Sequence, residues 1–163
     1  MSDVQERSSA EWEQAARTIA LRRLAAAPRS CAQIRESLTE RGVPPIITEH
    51  VIERFTEVGL LDDQAFARSW VLSRSQSRGL ARSALRRELL AKGVDTDLID
   101  VALAQVDDEA ELRRAMDVAS RRASHLRGES RGTAVRRLSA YLMRRGYSPA
   151  VAGKVSREAL EAG

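Results

Sequence analysis

Two histidines, one cysteine and two pairs of adjacent aspartates are the side chains in this 163-residue sequence with the means for metal or nucleophilic chemistry. His50 sits between Ile47 and Val51 in a helical pattern, and His125 lies in an arginine-rich stretch. Neither has a cysteine or a second histidine at zinc-ligand spacing. Asp62-Asp63 and Asp107-Asp108 suit either a divalent cation or a helix start. Each pair opens the first helix of a repeat, and neighbouring helical residues point about 100° apart, a poor chelate. Capping is therefore the better account. Cys31 falls near a helix N-terminus, which lowers a thiol pKa, but without a base partner it reads as an incidental small residue. The chain carries no Walker loop, no dinucleotide fingerprint and no Gly-Xaa-Ser-Xaa-Gly elbow. The expectation is a protein that is not an enzyme and needs no metal or cofactor.

The remaining chemistry is recognition by charge. Of 27 basic residues only Lys92 and Lys154 are lysine, and the net charge is +4. Arginine dominance fits phosphate or carboxylate recognition, and it equally fits a GC-rich genome. From Arg68 to Lys92 there are seven bases and one acid, Glu88; from Arg113 to Arg145 there are ten arginines against Asp117 and Glu129. Between these runs, Asp95 to Glu111 holds seven acids and no base. A solvated face explains one such run; recurrence at the same place in two repeat units points to a surface for nucleic acid or an acidic protein. With only 4% aromatic residues, dedicated base stacking is disfavoured.

The elements that position these charges are helices. Residues 1–9 are polar and expected to be disordered. Ser9 is the expected cap of a helix through Trp12, Ile19, Leu21 and Leu24 that stops before Pro28. Ser30 restarts a helix carrying Ile34 and Leu38 as far as Gly42, and Pro44-Pro45 opens a third that ends at Gly59. Asp62 caps the next helix, with Leu61 and Phe66 at staple positions and Phe66, Ala67, Trp70 and Val71 as its apolar stripe. That helix breaks at Gly79, and the corresponding break in the last third of the chain is placed near Gly128 and Gly132.

Gly42, Gly93 and Gly146 index a repeat with separations of 51 and 53 residues. Eight before each stand Ile34, Leu85 and Leu138; four before, Leu38, Leu89 and Leu142; one after, Val43, Val94 and Tyr147. Five after stand Ile47, Leu98 and Val151, and nine after, Val51, Ala102 and Val155. Cations and glycine belong at any helix C-terminus, but this register is best read as three tandem three-helix units. No strand-like alternation occurs, so the expected fold class is all-α: residues 10–59, 60–106 and 107–163 as three units of an elongated, curved array. Each middle helix–glycine turn–third helix also looks faintly like a helix-turn-helix, which leaves direct DNA binding as the alternative function.

The block Gly59-Leu60-Leu61-Asp62-Asp63-Gln64-Ala65-Phe66-Ala67-Arg68-Ser69-Trp70, followed by Arg78-Gly79, Arg86, Glu88-Leu89 and Lys92-Gly93-Val94, resembles the signature of the RecX regulatory proteins. The resemblance runs from about Arg17 to Leu160. It implies a non-enzymatic bacterial regulator that binds the RecA recombinase and its DNA filament. Such a protein inhibits strand exchange and ATPase activity in DNA repair, recombination and the SOS response. The motif positions Arg68, Arg74, Arg78, Arg82 and Arg86 are the expected filament-binding residues; Asp62, Asp63, Phe66 and Trp70 are read as structural. DNA itself would be touched weakly and in a salt-sensitive way. One cysteine fits a reducing compartment, no run approaches the ~18 apolar residues of a membrane span, and the polar start does not look like a signal peptide. A cytoplasmic monomer is expected.

Overall fold

The computed structural model describes residues 7–163. Among the described residues there are nine α-helices and no strand: α1 Ser9–Ala26, α2 Cys31–Glu40, α3 Pro45–Glu57, α4 Asp63–Arg78, α5 Arg82–Ala91, α6 Thr96–Leu103, α7 Asp108–Ala123, α8 Arg131–Arg144 and α9 Pro149–Glu161. A 3-10 turn, Ser124–Leu126, follows α7. The all-α expectation holds. Of the segment expected to be disordered, residues 1–6 lie outside the described residues, whereas Ser8 and Ser9 belong to the start of α1. Ser8, not Ser9, is the cap: its hydroxyl accepts from Glu11 N–H and the Glu11 carboxylate accepts from Ser8 N–H, a reciprocal capping box. Gly132 also departs from expectation. It lies inside α8, and the break is made instead by the 3-10 turn and Gly128, before Ser130 caps α8.

The chain forms two compact units, one taking residues up to Phe66 with Ala91–Asp95, the other Ala67–Leu90 with Thr96–Gly163. In the first, Ile34, Leu38, Val43, Ile47, Val51, Phe55 and Leu61 close on Ala16 and Ala20 of α1. In the second, Ala115 and Ala119 of α7, Leu138 and Leu142 of α8, and Ala152, Val155 and Ala159 of α9 surround Tyr147. The six leucine and isoleucine positions before the index glycines are all fully buried. In the third helix of the first group Ile47 is buried as expected, and Thr48 with it; in the other two groups Leu98 and Val151 are only half-buried, and Ile99 and Ala152 are buried one place later. The buried stripe thus runs at three-residue spacing to Val51, Ala102 and Val155. Trp70, expected in the α4 stripe, is half-buried because its indole N–H donates to Glu88 Oε2 at 2.8 Å, at the rim of the core.

Two of the index glycines are held by more than backbone freedom. In the first unit, the buried Ser30 hydroxyl donates to Lys92 O at 2.5 Å, and a Cβ on Gly93 would overlap the Ala32 side chain. In the second unit the arrangement repeats: Ser83 Oγ donates to Gly146 O at 2.5 Å, Ala81 N–H donates to Arg145 O at 2.9 Å, and a Cβ on Gly146 would meet Ala84 N and Ser83 Oγ at 2.7 Å. Each glycine turn therefore rests on the start of an earlier helix. Tyr147 completes the second of these contacts, its hydroxyl donating to Gly79 O at 2.7 Å where α4 ends. Burial, acting against the nearby Arg114 and Arg145 charges, pushes the Tyr147 phenol up to about 12. Gly42, with the same positive φ, has nothing within 4 Å of a built Cβ. Alanine at Gly42 should cost about 1 kcal/mol for its left-handed backbone alone. At Gly93 or Gly146 the forced displacement should add roughly 1–3 kcal/mol. Urea unfolding of the three variants checks this; equal losses at all three would show that the close approach carries no energy.

Candidate anion-binding face

The acids and the cysteine are structural. Asp62 Oδ1 accepts from Ala65 N–H at 3.0 Å, capping its own helix, while Asp63 Oδ1 reaches Cys31 N–H at 2.8 Å and serves the first turn of α2. Asp107 Oδ1 accepts from Ala110 N–H at 2.6 Å. The capping expectation therefore holds, with the addition that Asp63 caps a second helix. For Cys31 the helix N-terminus does not govern the thiol: burial first, and then the Asp63 carboxylate, push it up, away from nucleophilic use. His50 Nδ1 lies 3.4 Å from Glu13 at the surface. No group of three or more metal-ligating side chains occurs among the described residues, and no described helix is long and apolar enough to cross a membrane.

The five arginines singled out in the sequence are not brought to one place. Arg68 is exposed on α4. Arg74 lies over the Trp70 ring, 4.4 Å from its centroid, so that the indole holds a cation on its face and a carboxylate on its N–H. Arg78 ends α4 and is exposed. Arg82 and Arg86 are spent within the molecule. Arg82 donates to Asp108, to Glu111 Oε2 at 3.3 Å and to Val106 O at 3.3 Å, and its own N–H donates to Glu111 Oε1 at 2.6 Å. The Asp108 bond, then Glu111, raises the Arg82 pKa further. Arg86 pairs with Asp100 at 2.5 Å. The acidic stretch between the two basic runs thus supplies the partners of α5.

Arg78 instead joins the second basic run. It lines a concavity of about 600 Å³ together with Gly79, Val118, Arg121, Arg122, His125, Tyr141, Arg144 and Arg145. No carboxylate is among its lining residues, and among the described residues none of these five arginines is in an ion pair. Tyr141 organises two of them: the Arg145 guanidinium lies 3.8 Å and that of Arg122 5.0 Å from its ring centroid. The sequence contains the signal, ten arginines against two acids, but not which of the ten are free of carboxylate partners. In the structure Arg137 is paired with Glu129 and Arg131 with Glu161. Which arginines remain unpaired depends on where α7 and α8 end, and that is not visible in a charge count.

Comparison with known proteins follows the same lines. The family description "RecX, first three-helix domain" matches residues 16–55, and "RecX, second three-helix domain" matches residues 62–103. The chain is 49% identical over 146 residues to the regulatory protein RecX of Streptomyces coelicolor, covering 90% of this chain and 78% of that protein. It is 44% identical over 147 residues to the regulatory protein RecX of Thermobifida fusca, covering 90% and 80%. The crystal structure of RecX from Lactobacillus salivarius superposes with a TM-score of 0.81 at 18% identity, covering 94% of this chain and 99% of that one. A crystal structure of a regulatory protein RecX gives a TM-score of 0.81 at 23% identity, covering 90% and 74%.

The division between paired and unpaired arginines has a measurable consequence. Arg82→Ala should lose on the order of 1 kcal/mol of stability. Glu111→Ala, which also strips the N–H partner at the start of α5, should lose about 1–2 kcal/mol. Arg78→Ala should stay within about 0.5 kcal/mol of the parent. Denaturant midpoints at constant m-value provide the readout. A loss at Arg78 equal to that at Arg82 would remove the distinction.

Proposed function

The chain belongs to the RecX family of regulatory proteins, and on that premise we propose that it binds the RecA recombinase and its nucleoprotein filament and restrains recombinase and ATPase activity in DNA repair and recombination. The observation that carries the reading is 49% identity to a regulatory protein RecX over 90% of this chain. In this reading the protein catalyses no reaction, works in the cytoplasm as a monomer, and uses three modules, residues 10–59, 60–106 and 107–163, as its repeating parts. The helix-capping aspartates and the raised Cys31 thiol support a role in recognition rather than chemistry.

The basic side chains of α4 and α5 supply part of the filament interface. Arg68, Arg74 and Arg78 engage directly, because among the described residues they bear no carboxylate partner that must be given up. Arg82 and Arg86 take part at the cost of their ion pairs with Asp108, Glu111 and Asp100. Interactions of this kind weaken steeply with salt.

The test is RecA ATPase on single-stranded DNA, with and without substoichiometric amounts of the protein, at two salt concentrations. Inhibition and co-sedimentation with filaments are expected. Arg68→Ala/Arg74→Ala/Arg78→Ala should melt close to the parent yet inhibit about tenfold less well, since removing a charge-assisted hydrogen bond costs on the order of 1.5–3 kcal/mol. Absence of both inhibition and co-sedimentation would overturn the proposal. Tight sequence-specific DNA binding without RecA would replace it with the helix-turn-helix reading.

A further inference from the structure

The concavity shares only Arg78 with the α4–α5 arginines; Arg121, Arg122, Arg144 and Arg145 complete its lining. These side chains sit where α4, α7 and α8 end. Helix C-termini attract cations, so the structural explanation of the cluster is helix capping. The magnitudes decide against that as the whole explanation. Three helix ends offer at most about −0.5 each, roughly −1.5 together. Five guanidiniums line the site, so about +3.5 is left without a fixed counter-charge. Like charges gathered this closely raise the local potential and favour capture of an anion.

Geometry supports a ligand of defined kind. Arg145 and Arg122 are both stacked on Tyr141, which holds their planar forks in place without consuming their N–H donors; Arg121 Nε donates to the Asp117 carbonyl at 3.2 Å. Guanidiniums fixed in this way match phosphoryl oxygens in pairs. The cavity, about 600 Å³, is of the size that holds a small organic ligand.

We propose that this concavity is a binding site for adjacent phosphoryl groups, a ligand carrying about three to four negative charges, with pyrophosphate or a nucleotide polyphosphate chain as its simplest form. The same oxygens are offered by consecutive phosphates of a nucleic-acid strand, and the experiment separates the two sources. This assignment does not rest on action at RecA.

The experiment is calorimetric titration of the full chain with pyrophosphate, followed by titration with an oligothymidylate in the presence and absence of saturating pyrophosphate. Pyrophosphate should bind, and Arg122→Ala and Arg145→Ala should each weaken it about tenfold, as expected when a charge-assisted hydrogen bond is removed. Tyr141→Phe should bind like the parent because the ring remains, and Tyr141→Ala should bind more weakly because the forks are released. Arg113→Ala, whose side chain pairs with Glu109 outside the concavity, is the control and should bind normally. Oligothymidylate displaced by pyrophosphate identifies a strand as the source; oligothymidylate unaffected by it identifies a free polyphosphate. No pyrophosphate binding at millimolar concentration, or binding that Arg122→Ala and Arg145→Ala leave intact in a folded protein, would overturn the assignment.

Discussion

The interaction on which the rest depends is a glycine turn pressed against the start of an earlier helix. After α5 the chain turns at Gly93, and the Lys92 carbonyl just before it accepts the hydroxyl of buried Ser30. After α8 it turns at Gly146, whose carbonyl accepts from Ser83. The first bond satisfies a buried hydroxyl that would be costly to bury alone, the second lies at the surface, and both turns leave no room for a Cβ. A serine at the start of one helix and a left-handed glycine at the end of another are thus one device used twice. In its second use Tyr147 adds a buried hydroxyl to the Gly79 carbonyl, which fixes the end of α4 and with it the base of Arg78.

Fixing those helix ends sorts the arginines. At the start of α5, Arg82 is drawn into Asp108 and Glu111. An acid at a helix N-terminus is favourable on its own account, so Glu111 serves the α5 backbone and the Arg82 side chain together. Exposed ion pairs are individually weak, and their effect here is positional: two of the basic side chains of α5 reach a partner only once those pairs are given up. At the ends of α4, α7 and α8 no acid lines the concavity, and the arginines there stay uncompensated apart from helix ends and the ring of Tyr141.

Much of this is legible in the sequence, and the reasons differ by feature. The index glycines and the leucines four and eight positions before them are readable because backbone sign and core burial are local demands on residue type. Asp62 and Asp107 are readable as caps for the same reason. Periodicity places the third-helix stripe one residue early, since Leu98 and Ile99, or Val151 and Ala152, are adjacent apolar pairs between which it does not choose. The size of Trp70 suggests burial, while its N–H requires an acceptor, and that acceptor is Glu88, eighteen residues away. Asp63 capping α2 and the pairing of Arg82 with α7 are invisible, because both join residues distant in the chain. The concavity is half visible: its charge can be counted, but its membership is decided by where the helices end.

The central claim is the proposal that arginines without an ion pair meet the partner more readily than those already paired within the molecule. Arginine-selective modification by phenylglyoxal, mapped by mass spectrometry on the free protein and on the protein bound to RecA–DNA filaments, tests it most directly. The account predicts slow modification of Arg82 in both states, with the exposed Arg68 and Arg78 modified rapidly in the free protein and shielded in the filament. Rapid modification of Arg82 in the free protein, together with reactivity of Arg68 and Arg78 unchanged by the filament, would contradict it.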